Sequence, residues 1–226
     1  MHIFEPTFWN TLDSQILIII NGIHSGPLDT LMWWLSDRWI WIPFYLALTA
    51  FLIRRFGWGR GVACLLFIAA LITMVDQTCS SLIRPAVCRM RPSNPDNPIS
   101  VVIHVVNDYR GGSYGFPSSH AGNTFALAVF LSLLFRNRGL AAVLFVWSVA
   151  VSYSRMYLGV HYPGDILAGF AVGGFYAVMC YQLMIRFAIR REEMRRCVPV
   201  TYRFINSSLK KYSWAKRHQS PSQRVL

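Results

Sequence analysis

Gly61-Val-Ala-Cys-Leu-Leu-Phe-Ile-Ala-Ala-Leu-Ile-Thr-Met-Val-Asp-Gln-Thr-Cys-Ser-Ser-Leu-Ile83 runs for 23 residues with a single charge, Asp76. A helix needs about 20 predominantly apolar residues to cross a bilayer, so this stretch is long enough to span. It is apolar all round rather than on one stripe, which separates it from a surface helix. Four more runs free of Asp, Glu, Lys and Arg share that character: residues 39–53, 118–135, 139–154 and 166–185. Flanking arginines and aromatics extend the shorter ones by snorkelling to the interface. The pattern predicts an all-α, polytopic transmembrane bundle of five spans.

Composition agrees. Of 226 residues, 54% are apolar and 14% charged, where soluble domains carry about 25% charged residues. The mean hydropathy is +0.37. A soluble sphere of this size has too few polar side chains to cover so much apolar surface. Five cysteines exclude a secreted disulfide scaffold, and 15% aromatics exclude disorder.

Residues 1–38 are predicted to form an N-terminal interfacial segment. Gln15–Ile20 is apolar but short, and Asn21-Gly22-Ile23-His24-Ser25-Gly26-Pro27 interrupts it with turn-forming residues. Trp33 and Trp34 suit the headgroup level. A sixth span over residues 14–35 is the alternative. No basic leader or cleavage site marks a signal peptide.

The net charge is +12, and its placement sets an orientation. Eleven of the 22 basic residues lie in residues 186–226, opposed by Glu192 and Glu193. A basic segment directly after an apolar one reads as a cytoplasmic tail, here 188–226, bound to anionic lipid headgroups rather than to nucleic acid. Arg54, Arg55, Arg60, Arg136 and Arg138 share its side in a five-span arrangement. The opposite, outer side then receives residues 1–38, the 34-residue loop from Arg84 to Pro117, and residues 155–165. The domain between the terminal segments is 39–187.

The charges left on the outer side converge. Arg84, Arg91, His120, Arg155, His161 and Asp165 sit at or near helix ends that folding brings together. Arginine forks match tetrahedral oxyanions. Pro117-Ser118-Ser119-His120 starts a helix, so the Ser118 hydroxyl and the first free amides are expected to point outward as an anion cradle. His161 and Asp165 are four apart, which lets the carboxylate accept the Nδ1–H of the ring and leaves Nε2 as a lone pair. A histidine fixed in that way is a nucleophile or base. Asp76, as an intramembrane acid, is a further functional candidate. Arg89, His104, Asp108 and Arg110 in the long loop are candidate headgroup contacts. Cys79 and Cys88 are a candidate pair, and no Cys or His cluster has structural zinc spacing.

Together these residues resemble the three-part signature of the type 2 phosphatidic acid phosphatase superfamily, which also includes the vanadium haloperoxidases. The signature is Lys-x6-Arg-Pro, Pro-Ser-Gly-His and Ser-Arg-x5-His-x3-Asp. Here it reads Arg84-x6-Arg91-Pro92, Pro117-Ser118-Ser119-His120 and Ser154-Arg155-x5-His161-x3-Asp165. There are two departures. Arg84 replaces the lysine, and Ser119 replaces the glycine whose amide meets the phosphate; a serine keeps that amide provided its side chain points away.

The resemblance implies a phosphatase acting on a lipid-linked phosphate or diphosphate, without cofactor or metal. His161 is the nucleophile, Asp165 orients it, and His120 is the acid and then the base. Arg84, Arg91, Arg155, Ser118 and Ser119 hold the phosphate oxygens. It further implies an enzyme of a bacterial inner membrane with its site facing the periplasm or cell exterior. Undecaprenyl diphosphate ranks first as substrate and a lipid A phosphate second, followed by phosphatidic acid and phosphatidylglycerol phosphate. A haloperoxidase and a non-catalytic anionic-lipid-binding or transport protein are the rival classes.

Overall fold

The computed structural model describes residues 8–187, and every regular element among them is helical. The basic tail, and the lipid contact expected of it, lie outside the described residues. The helices are α1 (Phe8–Gly22), α2 (Gly26–Ser36), α3 (Ile42–Phe56), α4 (Trp58–Gln77), α5 (Arg84–Val87), α6 (Ser119–Phe135), α7 (Arg138–Tyr157) and α8 (Pro163–Phe187). All five apolar runs fall on helices. Four helical stretches are long and apolar enough to cross a membrane: Arg38–Phe56, Trp58–Val87, Arg138–Tyr157 and Pro163–Phe187. The fifth, α6, is apolar but only 17 residues long. It packs against α4, α7 and α8 at the centre of the bundle. Bulky apolar side chains on the outward faces, such as Leu46, Leu66, Val146, Leu167 and Phe175, are more than 60% exposed. Large apolar side chains exposed on every spanning helix suit lipid rather than water.

Local chemistry sets the helix boundaries. The Asn137 side chain accepts the Leu140 amide to start α7, and Pro163 occupies the first turn of α8, where its missing N–H costs nothing. Gly57, at φ +80°, makes the turn between α3 and α4. Residues 14–35 do not form one helix: α1 and α2 are separated by Ile23–Ser25. Asn21 is not a turn residue but sits in the last turn of α1, buried. It donates to the carbonyls of His104 (2.9 Å) and Tyr157 (2.7 Å) and accepts the His104 amide (2.7 Å). Its amide group therefore ties α1 to both the long loop and α7.

The long loop is built rather than loose. The Arg91 amide donates to the Ser113 carbonyl and the Gly115 amide to that of Arg89, forming a short antiparallel contact around Met90 and Tyr114. A 3-10 turn covers Pro98–Val102. The helix that carries His120, α6, and the helix that follows His161, α8, meet through small residues. A Cβ at Gly169 would lie 2.5 Å from the Ser118 carbonyl oxygen, and one at Gly173 would lie 2.3 Å from that of Gly122. Only glycine lets α8 and α6 approach so closely, and that approach sets the start of α6 against the start of α8.

Candidate active site

Arg84 follows a π-helical turn, Thr78–Ile83, that interrupts the long second span. Such bulges re-aim side chains and are frequent at functional sites. The Arg84 Nη2 donates to the Pro117 carbonyl (3.2 Å) and to Ser119 Oγ (3.0 Å). The two departures from the signature thus touch each other, and the Ser119 side chain points at Arg84 rather than away.

Ser118 also departs from expectation. It is fully buried, its own amide donates to the Asp165 carbonyl (3.0 Å), and its hydroxyl accepts the Ala121 amide (3.5 Å) as an N-cap. The hydroxyl is therefore occupied with helix capping, not turned outward. The amides of Ser119 and His120 lie in the first turn of α6, where a helix start leaves its leading N–H groups without intrahelical acceptors.

Arg91 does not close a helix. The helical stretch ends at Val87, with Cys88 left-handed (φ 51°), and Arg91 projects from the loop. Its Nη1 donates to the Val160 carbonyl (3.0 Å) and to His161 Nε2 (3.1 Å). Because arginine can only donate, Nε2 carries the lone pair. Nδ1 then bears the proton, facing Asp165 Oδ2 at 3.4 Å and the backbone of Gly115. His161 is 1% exposed and Asp165 fully buried. A Cβ at Gly115 would stand 3.1 Å from Asp165 Oδ2 and 3.4 Å from His161 Nδ1, so a larger residue there would press on the pair. The tautomer expected from the spacing of His161 and Asp165 is the one this geometry imposes.

Arg155, in the last turn of α7, is almost wholly buried. Its Nη1 donates to Ser36 Oγ at the end of α2, and its Nη2 to the Tyr109 hydroxyl (3.2 Å). His120 lies within electrostatic reach of Arg155, His161, Arg91 and Arg84. The Nε groups of Arg84, Arg91 and Arg155 are buried and have no hydrogen-bond partner in the protein. Buried donors of that kind are costly unless something accepts from them, and an oxyanion would supply acceptors.

Electrostatics follow from the crowding. Burial, reinforced by the charges of Arg155 and Arg84, brings the Arg91 guanidinium down to about 10. Burial and then the charges of Arg91, Arg155 and Arg84 hold His161 well below the ordinary histidine range. The ring is therefore neutral near pH 7, as a nucleophile must be. Burial pushes the Tyr109 phenol up, but its hydrogen bond and charge contact with Arg155 outweigh that and leave it below the usual tyrosine value.

Some expected headgroup contacts have other partners. Arg89 is held by two carboxylates: Nη1 donates to Asp165 Oδ1 (2.8 Å) and Nη2 to Asp13 Oδ2 (2.5 Å). His104 stacks on His24 (3.9 Å between ring centroids) and pairs with Asp29 (3.1 Å). Arg110 donates to the Ser93 carbonyl. The Cys79 and Cys88 thiols are both free, one buried and one exposed. Sequence reasoning missed Asp13, Ser36 and Tyr109 at this site. No motif marks them, since each meets its partner only across a long chain separation.

A helical bundle that sets a buried imidazole beside two buried guanidiniums, Arg91 and Arg155, and a half-buried one, Arg84, defines a membrane protein with a site suited to a tetrahedral oxyanion. Comparison with known proteins agrees. Residues 61–188 match the PAP2 superfamily, and the chain belongs to it. It is 43% identical over 183 residues to a lipid A 4'-phosphatase of Bacteroides thetaiotaomicron, covering 81% of each chain. It is 30% identical to an undecaprenyl-diphosphatase of Sulfolobus acidocaldarius, over 79% of this chain and 82% of that one. Among solved structures, a PAP2-type phosphatidylglycerolphosphate phosphatase from Bacillus subtilis superposes with a TM-score of 0.59 at 19% identity, covering 81% of this chain and 89% of that one. That last likeness is one of fold.

Proposed function

We propose that the protein is a lipid phosphatase that removes the phosphate of a lipid A-type glycolipid through a phosphohistidine. The observation that carries the chemistry is the lone pair of His161 Nε2, aimed at Arg91 among three guanidiniums with orphaned Nε donors. His161 Nε2 attacks phosphorus in line, forming the N–P bond as the bond to the leaving oxygen breaks. Asp165 holds the Nδ1 proton and stabilises the imidazolium that develops. His120 gives its proton to the leaving oxygen, then takes one from the water that hydrolyses the phosphohistidine and frees His161. Arg84, Arg91, Arg155 and the amides of Ser119 and His120 meet the equatorial oxygens as charge builds on them.

The substrate preference rests on the 43% identical relative. Undecaprenyl diphosphate, ranked first from the signature alone, stands second, supported by the 30% identical relative. In both cases the lipid sits in the outer leaflet of a bacterial inner membrane, with five spans placing the site outside and the domain 39–187 flanked by an interfacial segment and a lipid-anchored basic tail. Purified protein should release inorganic phosphate fastest from a lipid A bisphosphate among a panel that includes undecaprenyl diphosphate, phosphatidic acid and phosphatidylglycerol phosphate. Release from none of them would favour a lipid-binding protein and overturn the proposal.

A further inference from the structure

The signature accounts for His161 and Asp165 but not for what stands behind Asp165. Its Oδ2 accepts the Tyr162 amide (2.9 Å) and faces His161 Nδ1. Its Oδ1 accepts from Arg89. Arg89 in turn places its guanidinium carbon over the Tyr162 ring, 4.0 Å from its centroid, and gives its other terminal nitrogen to Asp13 on α1. Asp13 Oδ1 accepts the amide of Gly164, in the first turn of α8 (2.7 Å). A Cβ at Gly164 would stand 2.9 Å from Asp13 Oδ2, so the glycine leaves space for the carboxylate. The side chains of Asp13 and Arg89 are only 12% and 16% exposed, and Asp165 is fully enclosed, so water screens this row of charges weakly.

Charge order is what makes the row informative. An arginine alone against Asp165 would cancel the carboxylate that the imidazolium needs. A second carboxylate on the far side of Arg89 restores a net negative charge to the trio. We infer that Asp13 and Arg89 are positioning residues for phosphoryl transfer: α1 fixes the carboxylate behind His161 and leaves it the negative charge that the phosphorylated ring requires. This rests on the phosphatase reading above and adds to it a residue from the N-terminal helix, outside the matched region.

The test uses Asp13→Asn, Arg89→Gln and the double variant in the full-length protein. The charged groups facing His161 are Arg91, Arg155, Arg84, Asp165 and, behind it, Arg89, with His120 alongside. Asp13→Asn should lower kcat about tenfold, the scale of losing one charge-assisted hydrogen bond, with little change in KM. It should also move the acidic limb of kcat/KM to lower pH, because the surroundings of His161 become more positive. Arg89→Gln should move that limb to higher pH, and the double variant, in which Asp165 alone leaves the same net charge as the wild-type trio, should return toward the wild-type limb. The same shifts should appear without turnover in the pH dependence of His161 carbethoxylation by diethylpyrocarbonate, followed by mass spectrometry. That arm decides the inference even for a protein that released no phosphate, a result that would sink only the phosphatase reading. If neither the acidic limb nor the carbethoxylation profile moves in either single variant, or if activity falls only in step with the unfolding temperature, Asp13 merely docks α1 and the inference is overturned.

Discussion

Arg84 and Ser119 stand where the PAP2 signature has lysine and glycine, and their hydrogen bond makes the two departures one unit. Arg84 Nη2 has two acceptors, Ser119 Oγ at 3.0 Å and the Pro117 carbonyl at 3.2 Å. Removing the hydroxyl leaves the carbonyl in place, so the guanidinium stays roughly aimed but less firmly held. A hydrogen bond to a charged group contributes about 1.5–3 kcal/mol. With one anchor retained and the pair only partly buried, a loss of about 1 kcal/mol is expected for Ser119→Gly, roughly fivefold in kcat/KM. Arg84→Lys keeps the charge but loses the planar fork, and its ammonium would still be drawn to Ser119 Oγ instead of the phosphate; about tenfold is expected. Independent effects would multiply to roughly fiftyfold in the double variant. Because the lysine is freed once the hydroxyl is gone, the double variant should instead lose only about five- to tenfold, a coupling of ~1 kcal/mol. The assay is phosphate release from the best lipid phosphate in mixed micelles, with thermal unfolding as a check on folding. A double variant at the multiplied value would refute the idea that the two departures compensate each other.

Three further outcomes are expected. His161→Ala should abolish release from every phosphate ester, whereas in single-turnover experiments His120→Ala should lose far more activity on an alkyl phosphate than on p-nitrophenyl phosphate, whose leaving group needs no proton; equal losses would remove His120 from the acid role. Since burial and the charges of Arg91, Arg155 and Arg84 depress His161, the neutral nucleophile persists below pH 6.5 and the acidic limb of kcat/KM should lie under that value; Arg91→Leu, by removing a neighbouring positive charge, should move it upward, and a limb unmoved by that change would contradict the assigned contact. For topology, in a Cys88→Ser background, a cysteine at Val101, which is 87% exposed, should react with an impermeant thiol reagent in cells whose outer barrier is permeabilised, and one at Arg138 should not; the reverse pattern would put the site in the cytoplasm.

The amino-acid sequence by itself determined the helical bundle and the identity of the chemical groups, because both are written in local patterns. An apolar run of 15 to 23 residues with at most one charge is recognisable without knowing its neighbours, and all five such runs are helical. His161 and Asp165 are four apart, so one helix start sets their geometry whatever surrounds it. What only the tertiary structure decided are the partners that hold those groups. Arg155 finds Ser36 across 119 residues, Arg89 finds Asp13 across 76, and Arg84 finds Ser119 across 35. Spacing carries no signal over such distances; the contacts arise because glycines at 169 and 173 let α8 close on α6, and because α1 packs on α7 and α8 and α2 on α7. The same closure explains the misread residues. Ser118 looks like a phosphate ligand until its amide is seen on Asp165 and its hydroxyl on Ala121, and Arg89 looks like a headgroup contact until two carboxylates are found on either side of it. A side chain's chemistry can be read from its letter, but which partner satisfies it depends on what folding buries beside it.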